Sequence, residues 1–265
     1  MHKHDRLAAF LRAFDLKARV LSGPTDHANL YVAACVAGEG ASHIRFNVAG
    51  GPPPEGEFAV IVSADVDFSG ELNPLVGTLP DRMDFLLADT PALQGVADLF
   101  IGEAQSPRCG TVSVQDRLCE VIIVLVIRRA IAAGAVKAGM LAGLAHPALH
   151  RSLVAMHDEP ACKWSVERLA QIAGMSRSHF IERFGTIVGE TPGAYLTAWR
   201  LTLGRKALMS GRSVKQVAYQ VGFGSVEAFS RAFSAKYGVP PSSVKKVWAV
   251  SDEIKKPGAD VTWFF

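Results

Sequence analysis

Cysteine is scarce in this sequence and poorly placed for structural work: four occur in 265 residues, at positions 35, 109, 119 and 162. There is no Cys-x-x-Cys and no histidine at zinc-finger spacing, which excludes a structural zinc module and a disulfide-stapled scaffold. Four reduced thiols are expected, a regulatory Cys109–Cys119 bridge being the alternative. Long apolar runs are missing too. The longest, Val121–Ile127, is bounded by Glu120 and by Arg128-Arg129 and falls far short of the roughly 20 residues a membrane span needs. Leu7–Phe14 is too short for the apolar part of a secretory signal, so the reading is a cytoplasmic chain with no membrane partner. No Ser/His/Asp or Cys/His pattern suggests a nucleophile, and no catalytic residue is assigned. What is present suffices for a core: 49% of residues are hydrophobic and 20% charged, and the length favours two modest domains.

The net charge of +3 conceals an asymmetry. Residues 1–160 hold 13 Lys and Arg against 18 Asp and Glu, a net −5, whereas residues 161–250 hold 13 against 4, a net +9. An acidic body joined to a strongly basic module implies that one end meets a polyanion and the other has a separate task.

Texture divides the chain in the same way. Leu30–Val36, His43–Val48 and Phe58–Val66 are short β-branched runs, the last two separated by Gly50-Gly51-Pro52-Pro53-Pro54. From Thr90 onward the pattern is helical, and Ser113–Ala138 reads as one long helix with a broad apolar surface. That surface must bury against a second copy of the chain or against its own β-rich domain.

Near the C-terminus the sequence repeats itself. Ser165-Val166-Glu167-Arg168-Leu169-Ala170-Gln171-Ile172-Ala173-Gly174-Met175 is followed, 48 residues later, by Ser213-Val214-Lys215-Gln216-Val217-Ala218-Tyr219-Gln220-Val221-Gly222-Phe223. The offset then becomes 49, pairing Phe180 with Phe229, Phe184 with Phe233, Gly189 with Gly238 and Pro192 with Pro241. Each copy begins on a serine suited to cap a helix, carries an apolar stripe at helical spacing, and reaches a glycine that allows a tight turn into a second helix. That is a helix-turn-helix. With the phenylalanines inward, Ser178, Glu182 and Gly185 point outward in the first copy, and Glu227, Arg231 and Ser234 in the second, where a major groove would receive them. Pro192–Met209 predicts a helix of about 27 Å between the copies. It would hold two reading helices in successive major grooves, about 34 Å apart.

From about His146 to Val247 the sequence resembles the DNA-binding domain of AraC/XylS-type transcriptional regulators. Ala218, Val221-Gly222-Phe223, Phe229-Ser230-Arg231-Ala232-Phe233 and Gly238-Val239-Pro240-Pro241 follow that family's signature. The resemblance implies base-reading roles for Ser178, Ile181 and Glu182 in the first unit, and for Val226, Glu227, Ser230 and Arg231 in the second. Many relatives have a basic residue where Glu182 stands, and a carboxylate there suits a cytosine amine. Arg177, Arg183, Arg205, Lys206, Arg212 and Lys236 are assigned to phosphates.

The N-terminal half is similar to the family's cupin-like effector domain at Leu21-Ser22-Gly23, Asp67-Phe68-Ser69-Gly70, Asn73-Pro74-Leu75 and Leu79-Pro80. Too few residues separate Leu21 from Phe68 for a full barrel, and the cupin His-x-His metal pattern is missing there, so no metal is expected. No cofactor is assigned. The resemblance implies a small-molecule effector, with Lys17, Arg19, Asp67 and Ser69 as candidate contacts. Their order is loosely similar to a PilZ arrangement, which makes cyclic di-GMP one candidate, although Arg-x-x-x-Arg is lacking and Leu72 stands where that motif has glycine. His146, His150 and His157 share a helical face but are read as structural.

The expected architecture is α+β. It comprises a small cupin-like β-barrel domain (1–110), a helical dimerisation or linker region (111–145), an all-α DNA-binding domain with two helix-turn-helix units joined by a linking helix (146–250), and a tail (251–265). The expected function is a dimeric, effector-responsive regulator on double-stranded operator DNA, meeting RNA polymerase if it activates. The alternatives are a DNA-modifying or repair enzyme using the same module, and a ligand-independent dimeric regulator.

Overall fold

The structure is a computed structural model and describes residues 6–7, 9, 11, 16–21, 25, 27–36, 40–67, 73–74, 76–134 and 139–244. Five strands, β1 (Lys17–Leu21), β2 (Leu30–Cys35), β3 (His43–Asn47), β4 (Phe58–Asp67) and β5 (Arg82–Leu86), form one antiparallel sheet in the order β1-β4-β2-β3-β5. The three runs read from the sequence are β2, β3 and β4. The sheet has two edges, β1 and β5, among the described residues.

The register sorts the side chains. Leu30 lies opposite Phe46 and Ala64, Val32 opposite Ile44 and Val62, and Phe46 opposite Met83, so one face is continuously apolar and buried. Helix α1 (Pro91–Gln105) buries Leu93, Ala97 and Phe100. Helix α2 (Thr111–Ala132) buries Cys119, Ile122, Ile123, Val126, Ile127 and Ala130, and both helices join the core under that face. The long helix expected over 113–138 is therefore largely spent on its own sheet, while Val112 and Val114 at its start and Val121 further along remain exposed. Positions 135–138 of that expectation lie outside the described residues. Cys109 and Cys119 are free thiols, and Cys119 is fully buried, so the bridge considered above is not formed. Burial, with Asp116 and Glu120 nearby, pushes the Cys119 thiol up to about 12.

The opposite face is polar and filled by the chain itself. Tyr31 is fully buried, its hydroxyl 2.8–2.9 Å from the carbonyl oxygens of Thr25, Ala28 and Gly51. Asp84 accepts hydrogen bonds from His43 Nε2 at 3.0 Å and Arg45 Nε at 2.6 Å, and pairs with Arg82 Nε at 2.8 Å. Burial pushes the Asp84 carboxyl up, but the hydrogen bonds from Arg45 and His43 and the two guanidinium charges outweigh it and hold the group below its usual value.

Helices α3 (Met140–Ala145) and α4 (Leu149–Asp158) join this body to the helical half. The Gly139 amide donates to the Ile187 carbonyl at 2.9 Å, and a β-carbon at Gly143 would lie 2.5 Å from Leu153 and 2.9 Å from Val188. One buried core consequently runs from Leu30 and Phe46 through Met140, Leu141 and Leu144 to Phe180, Phe184 and Trp199. A second and smaller core, Leu201, Leu208, Val217, Ala218, Val221, Phe229, Phe233 and Val244, stands apart from it.

Candidate nucleic-acid interface

Five helices carry the basic half: α5 (Val166–Ala173) and α6 (Arg177–Val188), then α7 (Pro192–Met209), then α8 (Val214–Gln220) and α9 (Val226–Tyr237). Each starts on the residue type expected to accept an otherwise unpaired amide. Ser165 Oγ accepts from the Arg168 amide at 3.2 Å, Ser176 from His179 at 3.4 Å, Thr191 from Ala194 at 3.2 Å, Ser213 from Gln216 at 3.3 Å and Ser225 from Ala228 at 3.1 Å. Only Ser213 is reciprocated among these, because Gln216 Oε1 accepts from the Ser213 amide at 3.3 Å, whereas the corresponding residue of the first unit is the donor-only Arg168. Ser213→Ala is therefore expected to cost about 1 kcal/mol, and more than Ser165→Ala, in urea unfolding read from amide exchange of each unit.

The turns show why glycine recurs. Gly174 ends α5 at φ +69° and Gly222 follows α8 at φ +90°. A β-carbon on Gly222 would lie 2.6 Å from the Ala161 Cα, so conformation and space both demand glycine there. Ala170 and Ala218 are buried at the helix crossings. In each unit two phenylalanines point inward, Phe180 with Phe184 and Phe229 with Phe233, both pairs with centroids 5.5 Å apart and every ring fully buried.

Burying those rings turns the other face out. Ser178 and Glu182 are exposed on α6 beside the half-buried Ile181, and Glu227 and Arg231 are exposed on α9 beside the half-buried Val226 and Ser230. Hydrogen bonds from its own amide and from Ser225, with the Arg231 charge one turn on, hold the Glu227 carboxyl below its usual value despite burial acting the other way. Arg177 is exposed and bridges to Glu167 across the first turn at 2.7 Å, and Arg183 Nε lies 3.4 Å from His179 Nε2. Arg212 is exposed and Lys206 half-buried.

One phosphate assignment needs correction, and a second residue has a partner within the fold. Arg205 is 7% exposed, with its guanidinium 5.1 Å from the centre of the Tyr237 ring, and cannot reach a phosphate from there. Lys236 turns back to α7, its Nζ donating to the Ala198 carbonyl at 3.0 Å and to Thr202 Oγ1 at 3.4 Å. Burial, reinforced by Arg205 and opposed by Glu190, lowers the Lys236 pKa, as suits a strut between α9 and α7. Sequence reasoning overlooked Arg200, which donates to the Pro160 carbonyl at 2.6 Å and the Cys162 carbonyl at 2.9 Å and so ties the segment before α5 to α7. It stands among the apolar positions of α7, where no spacing marks it.

The candidate effector contacts are only partly brought together. Lys17 stands opposite Asp67 in the β1–β4 register, and Arg19 pairs instead with Asp65 at 3.6 Å. Ser69 lies outside the described residues. The three histidines take structural positions: His146 Nδ1 accepts from the Ala148 and Leu149 amides at 3.2 Å, His150 Nδ1 lies 3.0 Å from the His146 carbonyl, and His157 is buried against Tyr195 and Trp199.

Residues 169–246 match a family described as a helix-turn-helix domain, and residues 7–132 match a family described as cupin. An uncharacterized HTH-type transcriptional regulator of Haemophilus influenzae is 35% identical over 173 residues, covering 65% of this chain and 58% of its own. A putative AraC-like transcription regulator of Streptomyces lividans is 41% identical over 109 residues, 41% of this chain and 36% of its own. The crystal structure of ToxT from Vibrio cholerae shares 15% identity, with 89% of this chain and 98% of that one aligned at a TM-score of 0.42. The chain thus spans 58% and 36% of the two curated relatives, and among the described residues no helix is long and apolar enough to cross a membrane.

Proposed function

We propose that the chain is an AraC-type transcriptional regulator, with a cupin-like domain ahead of the helix-turn-helix domain, and that it binds double-stranded operator DNA sequence-specifically through α6 and α9 and regulates transcription, with the N-terminal domain as effector sensor. The observation that carries this reading is the duplicated unit itself. Two capped helices each turn a pair of phenylalanines inward and a short polar face outward, on the segment that holds the basic excess.

In this reading Arg231 donates two hydrogen bonds to a guanine edge, and Glu182 accepts from a cytosine amine. Arg177, Arg183, Lys206 and Arg212 supply the phosphate contacts that position the domain. Two copies read paired half-sites in the cytoplasm and, as an activator, meet RNA polymerase. The exposed Val112 and Val114 at the start of α2, with Val121 further along it, offer an apolar surface for pairing the copies.

Arg231→Ala is expected to cost about 1–3 kcal/mol on the operator, to relax preference at one base position, and to leave binding to nonspecific duplex nearly unchanged. Footprinting on the upstream region of its own gene, followed by anisotropy titrations of both duplexes, tests this. Equal loss on the two DNAs would place Arg231 on a phosphate instead.

A further inference from the structure

The first reading unit belongs to the larger core and the second to the smaller one, and α7 runs through both, with Tyr195 and Trp199 in the first and Leu201 and Leu208 in the second. A helix fixes distance along its axis. The angle between two units mounted on it is braced by contacts off that axis, and this angle decides where α9 points once α6 is seated in a groove.

The off-axis contact is the segment 159–164 that leads into α5. Within the first unit, Trp164 Nε1 donates to the Glu159 carbonyl at 2.9 Å, and the Arg168 guanidinium lies 4.4 Å from the centre of the Trp164 ring and donates to Cys162 Sγ at 3.3 Å. From α7, the half-buried Arg200 spans the segment with two donors, Nε to the Pro160 carbonyl at 2.6 Å and Nη2 to the Cys162 carbonyl at 2.9 Å. Ala161, held between those carbonyls, is where the turn of the second unit rests. A β-carbon at Gly222 would lie 2.6 Å from the Ala161 Cα and 3.0 Å from its carbonyl oxygen. Near the end of α9 a second brace returns to the same stretch of α7, where Lys236 Nζ donates to the Ala198 carbonyl at 3.0 Å, with the charge of Glu190, between α6 and α7, favouring the ammonium.

We propose that Arg200 is a positioning residue for sequence reading: it clamps residues 160–162 as a wedge between α7 and the Gly222 turn, and so sets the angle between α6 and α9 and the spacing of the two base-pair clusters that the chain accepts. The inference rests on the reading above, in which both helices enter major grooves, and adds what fixes their register. Arginine suits the task because its planar fork reaches two carbonyls at once, whereas a lysine ammonium is a single point on a flexible stem. The ties are few and polar, and they bear on orientation more than on stability. One base pair more or less between the clusters turns the second groove by about 35° and moves it by about 3.4 Å. A braced pair of helices must discriminate against that change, and a loose pair adapts to it.

Anisotropy titrations of the full chain on the footprinted duplex, and on copies with one base pair inserted or removed between the two clusters, test the clamp. The wild type is expected to bind the altered spacings at least about tenfold more weakly than the native one. Arg200→Gln is expected to lose about tenfold on the native spacing and almost nothing on the altered ones, so that its discrimination falls to about twofold or less. Arg200→Lys should fall between the two. Lys236→Gln, at an exposed position that leaves the wedge in place, should relax the spacing preference to a smaller extent. If Arg200→Gln does not fold, the same ratio in Arg200→Lys and Lys236→Gln decides. Wild-type indifference to spacing would overturn the proposal. So would an equal loss in Arg200→Gln on every duplex, restored by Arg200→Lys, which would place the guanidinium on a phosphate. A measurement without DNA separates the clamp from the reading it rests on. Pulsed electron spin resonance between genetically encoded spin labels at the exposed positions 182 and 227 reads the distance from α6 to α9. Arg200→Gln is expected to broaden that distribution, and an unchanged one would overturn the clamp even where DNA is bound. A broadened distribution in a chain whose wild type binds no duplex sequence-specifically keeps the clamp and removes the reading.

Discussion

Phe229→Ala is expected to cost about 3–5 kcal/mol and to unfold the second reading unit ahead of the rest of the chain. The ring is fully buried in the smaller core, packed edge-on against Phe223 at 5.3 Å and tilted against Phe233 at 5.5 Å. Gly204 on α7 is shaped around it, since a β-carbon there would lie 2.9 Å from Phe229 Cε2. The cavity left by alanine opens in a cluster of eight buried residues, which has little else to hold it. Hydrogen exchange should show amides of α8 and α9 losing protection while those of α5, α6 and the sheet keep theirs. Operator affinity should fall because one of the two reading helices is lost. The equivalent Phe180→Ala removes the same side chain from the larger core, so its damage should register in the N-terminal domain as well. A single cooperative transition in both variants would show that the two cores act as one.

Acidification from pH 7 to pH 5 is expected to remove about 2 kcal/mol of stability through His157 alone. The imidazole is buried against Trp199 with ring centroids 4.7 Å apart, its Nε2 hydrogen-bonded to the Tyr195 hydroxyl, and burial lowers its pKa to about 3. The folded chain therefore keeps this ring neutral, while the unfolded chain protonates it near pH 6.5. Below that value the unfolded state binds a proton that the folded state refuses. Stability is complete above about pH 6.5 and declines by about 1.4 kcal/mol per pH unit until the folded ring itself titrates near 3. His146 shifts in the same direction, chiefly through burial and then through Arg183, and adds to the slope. Urea unfolding of the wild type and of His157→Gln at pH 7, 6 and 5 isolates the contribution. Glutamine keeps a hydrogen-bonding group near Tyr195 and does not titrate, so the variant's profile should be flatter by that amount, and parallel profiles would contradict the assignment.

The helix-turn-helix units were legible because the sequence states them twice, with serine, apolar stripe, glycine and phenylalanine pair recurring in register. Central strands were legible for a similar reason, since β2, β3 and β4 are bounded by turn residues and rich in β-branched side chains. The edge strands were not. In β5, Arg82 and Asp84 alternate with Met83 and Phe85 over five residues, and β1 places Lys17 and Arg19 beside Ala18 and Val20, too short an alternation to distinguish from loop. Arg205 was misplaced because α7 is buried on several sides. Leu201, Thr202, Gly204, Arg205 and Leu208 are all buried, so the helix has no single polar face to assign a cation to. Lys236 does start from a polar position, but its long stem carries the ammonium back to a carbonyl of α7, a reach that spacing along one helix does not reveal.

The separation of the two cores sets how substitutions combine. Residues that share no packing partner contribute to stability independently, so changes in the second unit should sum with changes in the N-terminal domain or the first unit to within a few tenths of a kcal/mol. Among the described residues Leu203 is the one hydrophobic side chain that packs against both clusters. Non-additivity should therefore concentrate on pairs that include it, and a double-mutant cycle through Leu203 measures how strongly the two halves of the reading head feel one another.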